Sequence, residues 1–120
     1  MDESNRVNPT RYEYEGPVKL YSIDHVPGAE IEALGLVQGS VVQSKHIGRD
    51  FMAGLKTIVG GEIVGYTEML TEARAIATER MAQQAEALGA DAVVNVRYSS
   101  SAIMESAAEV LAYGTAVRMK

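Results

Sequence analysis

At 120 residues, 47% hydrophobic and 22% charged, the chain has the composition of one globular domain and too little length for two well-packed ones. Cysteine is absent, which excludes disulfides, thiolate nucleophiles and thiolate metal sites and suits a reducing, cytoplasmic compartment. The net charge is −5 and the eleven basic residues never stand side by side, which speaks against nucleic acid and anionic membranes as partners.

Residues 1–16 are polar, contain Pro9 and end at Gly16 before Pro17. They read as a flexible or loosely docked arm ahead of a domain spanning 17–120, and as a segment that could recruit a protein partner. No apolar core of a secretory signal stands at the start, and the apolar runs fall far short of the ~20 residues that span a bilayer. Residues 19–25, with Leu20 and Ile23, predict a short edge strand that stops at the turn signal Pro27-Gly28.

Residues 29–42 predict a strand. Ile31, Ala33, Gly35 and Val37 fall on one face and Leu34 and Leu36 on the other, the pattern of a central strand. Gly39-Ser40 suggests a bulge or break before Val41 and Val42. Residues 47–59 return to helical spacing through Ile47, Phe51, Leu55 and Ile58, with Ser44 as an N-cap and Gly60-Gly61 as the end.

A longer helix is predicted from about Ile63 or Tyr66 to Leu88, closed by Gly89. At 100° per residue, Tyr66, Met69, Leu70, Ala73, Ile76, Ala77, Met81, Ala87 and Leu88 share one arc. Glu68, Glu72, Glu79, Gln83 and Glu86 share the opposite one. Ala75, Ala82 and Ala85 form a second, shallow strip that is either a subunit contact or a helix-forming surface. Arg80 and Gln84 fall inside the apolar arc. The Arg80 guanidinium must therefore snorkel to the rim or reach an acid such as Asp50, Glu62 or one on a neighbouring chain.

Residues 92–98 alternate, Val94, Val96 and Tyr98 against Val93, Asn95 and Arg97, and predict a strand broken at Ser99–Ser101. Residues 107–119 predict another, with Val110, Ala112, Gly114 and Ala116 making a face of small side chains that suits a close neighbour. The order β-β-α-α-β-β implies an α+β domain with its helices on one face of an antiparallel sheet.

The stretches SKHIGRDFMAGL at 44–55, VGGEIVGY at 59–66, ALGADAVVNVR at 87–97 and YGTAV at 113–117 together resemble the YbjQ-like family, to which heavy-metal binding is ascribed and whose function is unknown. The resemblance runs from about residue 22 to 118 and leaves the first twenty or so residues outside. It implies a two-layer, dodecin-like subunit assembled into a homopentameric ring, with paired rings as a further arrangement. No catalytic residues come with it.

Candidate chemistry is sparse. The two histidines, His25 and His46, lie far apart in sequence; a ring of five copies of one histidine on a symmetry axis is the one route to a transition-metal site, with His46 the candidate, and His46 otherwise reads as a solvated residue before a helix. Gly60-Gly61 could offer backbone N–H groups to an anion, but Glu62 stands at that point and opposes one. Arg49, Asp50, Glu62 and Tyr66 gather near the helix junction, with Arg80 further along. They read either as a salt-bridge network or as a polar pocket, in which Arg49 grips a carboxylate ligand or Asp50 and Glu62 hold a hard cation. No nucleophile elbow, Ser/His/Asp order, P-loop or dinucleotide fingerprint is present. The leading expectation is thus a ring-forming binding or scaffold module holding a small ligand or ion between subunits. The alternative is an enzyme of unrecognised type using Asp50, Glu62 and Tyr66.

Overall fold

The computed structural model describes residues 7–8, 13–44 and 61–120. Among the described residues six strands and one helix follow in the order β1 (Val7–Asn8), β2 (Glu13–Tyr14), β3 (Lys19–Leu20), β4 (Ile31–Ser44), α1 (Gly61–Ala87), β5 (Ala92–Met104) and β6 (Ala107–Met119). The helix expected at 47–59 lies outside the described residues.

β5 and β6 form a long antiparallel hairpin, and β4 adds antiparallel to β6, giving a four-stranded sheet in the order β3-β5-β6-β4. β3 runs parallel to β5, so the sheet is mixed rather than wholly antiparallel. This edge continues past β3: the Tyr21 N–H donates to the Val93 carbonyl, the Val96 N–H to the Tyr21 carbonyl and the Asn95 N–H to the Ile23 carbonyl, each at 2.9 Å. β4 is therefore an edge strand, not the central one its two apolar faces suggest. Its outer face carries Leu36 and Val42 into water, 71% and 60% exposed.

Of the three register shifts in the sheet, two reset the faces that meet the core, and the third lies between Ala102 and Met104 near the hairpin end. Between Ala33 and Gly35 the β4 register slips, with Gly35 at a φ of 138° that only glycine adopts readily. Ile31 and Val37 thereby end on opposite faces, whereas plain alternation puts them on one. On β5 the register slips between Val94 and Arg97, with Asn95 at a φ of 55°, a region asparagine tolerates better than most residues. Val93 and Val96 both join the main core as a result, while Val94 turns to the other side. Gly39 marks no break. A side chain there would collide with the Met81 backbone nitrogen and the Ala77 carbonyl, so glycine is what lets the helix lie against the strand.

Ser99–Ser101 are not a loop either. They pair with Leu111, Val110 and Glu109 of β6, because cross-strand hydrogen bonds override the weak strand preference of serine.

α1 lies mainly over β4 and β6. Val37, Val41, Ala73, Ala77, Met81, Val93, Val110, Ala112 and Ala116 form the core beneath it. The small-residue face of β6 is thus covered by the chain's own helix. A second cluster, Val26, Ala92, Val94 and Val117, is capped on the opposite face by the segment after β3. The helix ends where Gly89, at a φ of 78°, donates to the Glu86 carbonyl and Ala90 donates to that of Ala85. This paired closure satisfies two of the last-turn carbonyls.

Helical periodicity places the main stripe correctly from Tyr66 to Met81, but Ala87 and Leu88, expected on the same arc, are exposed, and it misjudges the other side of the helix. Ala75, Ala82 and Ala85 are all buried within one chain, so they offer no shallow strip to a neighbour. Glu79, expected on the polar arc, is wholly buried, with the Gln83 side-chain amide donating to its Oε1 at 3.4 Å. A helix buried on two sides keeps only narrow wet strips, which a one-stripe reading does not anticipate.

The arm is docked at its end. β1 pairs with β2, both touch the helix, and the Tyr14 hydroxyl accepts the Val18 N–H at 3.1 Å while its ring packs against the core.

Candidate functional site

Most of the residues expected to form a junction site lie outside the described residues. Arg49, Asp50 and the metal candidate His46 lie outside them, and Glu62 is described only as a backbone position in the first turn of α1. Tyr66 is half-buried near the start of the helix. Arg80 lies fourteen positions on, which at 1.5 Å per residue separates the two by roughly 21 Å along the axis. Arg80 instead turns to the edge of the sheet.

Among the described residues two grooves flank α1, one on each side. On the β4 side, Gln38, Gly39, Ser40, Arg80, Gln83, Gln84 and Ala87 line a shallow groove over the free edge of the sheet. The Gln84 side-chain oxygen accepts the Gln38 N–H at 3.0 Å, and Arg80 Nη1 donates to the Ser40 carbonyl at 2.7 Å. Both backbone groups would otherwise face water or another strand, so the two polar residues inside the apolar arc act as clips on an edge strand. Arg80 is exposed and reaches the rim of the sheet at Ser40, while Asp50 and the Glu62 side chain, the acids named as its alternative partners, lie outside what is described.

On the β5 side the helix leaves part of the sheet uncovered. Tyr14, Leu20, Thr71, Arg74, Ala75, Thr78 and Tyr98 line an open groove of about 460 Å³. The Thr78 hydroxyl donates to the Arg74 carbonyl at 2.7 Å and shares a second 2.7 Å hydrogen bond with the Tyr98 hydroxyl, tying helix to strand. Arg74 donates through Nη2 to the Thr71 hydroxyl at 3.2 Å. None of these residues belongs to the set expected from the sequence. The signal was present: Thr71, Arg74, Ala75 and Thr78 follow the i, i+3, i+4, i+7 spacing of one helical face. Tyr14 and Tyr98 join that face only through tertiary contact.

Elsewhere, His25 Nδ1 lies 2.9 Å from an Asp24 carboxylate oxygen, on the exposed loop after β3. That hydrogen bond, helped by the charge of His25 when protonated, holds the Asp24 carboxyl below its ordinary range. The pair is fully solvated and reads as surface chemistry.

Residues 18–120 match a family model described as "Putative heavy-metal-binding". The chain belongs to the YbjQ family. Relatives in the family include a UPF0145 protein of Thermotoga maritima, 64% identical over 102 residues that cover 84% of this chain and 96% of that one. A UPF0145 protein of Helicobacter hepaticus is 60% identical over 102 residues, covering 85% of this chain and 98% of the relative. One from Clostridium novyi is 58% identical over 100 residues, covering 83% and 97%. Among solved structures, a protein of unknown function of the DUF74 family from Pediococcus pentosaceus superposes with a TM-score of 0.57 at 12% identity, over 88% of this chain and all of that one. That likeness speaks to the fold alone.

The family's description invites a test against the donors present. Among the described residues no three His, Cys, Asp or Glu side chains come together to hold a metal ion. His25 is engaged with Asp24 on the surface, and the chain has no thiolate to offer a soft metal. Within one chain, the described residues do not fit a heavy-metal centre. Among them, too, no helix is long and apolar enough to cross a membrane.

Proposed function

We propose that the chain is the subunit of a homo-oligomeric binding or scaffold assembly, a ring of five as the family resemblance implies, in which neighbours cover what the sheet leaves in water. The observation that carries this reading is the distribution of exposed apolar side chains. Leu36 and Val42 stand on the outer face of edge strand β4, 71% and 60% exposed, and Ile103 and Met104 stand at the end of β5, 50% and 67% exposed. Single exposed apolar residues are ordinary, but these four occupy the two strands that flank β6, on a sheet that α1 covers mainly over β4 and β6. Support no longer comes from the alanine strip or the small-residue face of β6, both of which one copy covers by itself.

The clips on β4 favour contact through the face and the hairpin end over continuation of the sheet from subunit to subunit. A bound small ligand or ion between subunits is the natural cargo of such an assembly. No observation favours the enzyme reading.

Native mass spectrometry of untagged protein tests the proposal: the expected mass is five chains, or ten if rings pair. A monomer at micromolar concentration overturns it. Leu36→Arg combined with Met104→Arg is expected to yield folded monomer, judged by an unchanged circular dichroism spectrum beside the lower mass.

A further inference from the structure

The groove on the β5 side of α1 is formed within a single copy and has a chemistry of its own. Arg74 is the one charged residue lining it. Among the described residues its guanidinium makes a single hydrogen bond, to the Thr71 hydroxyl, and no carboxylate joins it in the lining of the groove. A guanidinium carries five N–H donors in a planar fork, so four remain for a ligand, in the geometry that matches one carboxylate through two parallel bonds. In a chain of net charge −5, an arginine with no acid beside it among the described residues is conspicuous.

The walls add a second preference. Leu20 and Ala75 are apolar, and the rings of Tyr14 and Tyr98 stand in the same lining. Both tyrosine hydroxyls are already held, Tyr14 by the Val18 N–H and Tyr98 by Thr78, which fixes where the rings sit. A volume near 460 Å³ falls within the range of small-molecule sites. Rigid aromatic walls around a lone cation suit a flat apolar body carrying one negative group. They suit a bare inorganic anion poorly, because it would leave the walls unused and would ask more donors of the site than one arginine supplies.

We propose that this groove binds a small aromatic carboxylate, with Arg74 gripping the carboxylate and Tyr14 and Tyr98 flanking the ring. Tyr14 precedes residue 18, where the family match begins, so one wall of the site comes from a segment outside the family's common domain.

Isothermal titration calorimetry of the full chain with sodium benzoate tests this, with acetate and benzyl alcohol as the ring-free and charge-free probes. Benzoate is expected to bind saturably with a dissociation constant on the order of 1 mM, the range open to a ligand so small. Acetate and benzyl alcohol should each bind at least about tenfold more weakly, a difference that loss of one charge-assisted contact or of the ring contact can produce. Arg74→Gln should abolish saturation, and Arg74→Lys should retain only part of the affinity, because the charge stays and the fork is lost. Thermal melts of both variants establish that they are folded, and the self-association of the chain is read separately by mass. Benzoate heats that do not saturate, or affinity unchanged in a folded Arg74→Gln variant, would overturn the proposal; so would acetate binding as well as benzoate.

Discussion

The two flanks of α1 carry the same kind of residue to opposite ends. Arg80 and Arg74 sit six positions apart on one helix, each beside a strand. On the β4 flank, Gly39 lets the helix come so close that the Arg80 guanidinium meets the Ser40 carbonyl and Gln84 meets the Gln38 N–H. On the β5 flank the helix stands off, Tyr14 and Tyr98 fill part of the gap, and among the described residues Arg74 finds only a threonine hydroxyl of its own helix. The distance between helix and strand decides whether an arginine becomes part of the fold or stays available to a ligand.

The sharpest way to break the contrast is to push the helix off β4. A Cβ at position 39 would run into backbone atoms of Met81 and Ala77, which cannot step aside as a side chain could. Gly39→Val should therefore destabilise the domain by roughly 3 kcal/mol or more, the upper part of the range for overpacking. Urea denaturation followed by circular dichroism measures it. A cost below about 1 kcal/mol would mean that the close approach is not real. Met81, fully buried at the same contact, offers the complementary test: Met81→Ala should cost about 2–5 kcal/mol through the cavity it leaves.

Removing the clips while leaving the contact intact comes next in size. Arg80→Ala with Gln84→Ala gives up two hydrogen bonds, together about 2 kcal/mol, and bares the Gln38–Ser40 edge. An unprotected edge strand invites pairing with another copy. The double variant should scatter more light on standing and bind thioflavin T, while a variant at either exposed glutamate Glu68 or Glu109 should not. Equal solubility of the double variant and the parent would show that the clips protect nothing.

How much of this was legible in sequence depends on which forces set each feature. The long helix, its glycine closure and the last strand were readable because apolar spacing and the αL preference of glycine are local. The resemblance to the family was readable from four dispersed motifs. What was missed is tertiary. Alternation on β4 and β5 fails at Gly35 and Asn95 because a single bulged residue flips every side chain beyond it. The burial of Glu79 and of Ala75, Ala82 and Ala85 depends on a second buried side of the helix, which a one-stripe projection does not see. Arg80 announced itself as out of place, yet one group it holds is a backbone carbonyl forty residues away, and no side-chain pattern encodes a carbonyl. The β5 groove needs Tyr14 and Tyr98, distant in sequence from the Thr71–Arg74–Thr78 face they complete.

The smallest effects sharpen the comparison most. Thr78→Val removes the hydroxyl that ties the Arg74 carbonyl and the Tyr98 hydroxyl, and should cost about 1 kcal/mol, since Tyr98 is partly exposed and water can replace the lost partner. Arg74→Gln should change stability by less than about 0.5 kcal/mol: the arginine is exposed and its one bond, to a threonine of its own helix, is replaceable by water. Arg80→Gln should cost more than that, about 1 kcal/mol, because it gives up a charge-assisted bond to an edge-strand carbonyl. The difference between these two single substitutions, read from midpoints in parallel urea titrations, is the direct measure of the contrast between the flanks. If Arg74→Gln costs as much as Arg80→Gln, then Arg74 is held by the fold after all, and a guanidinium committed to the fold is not free to grip a ligand.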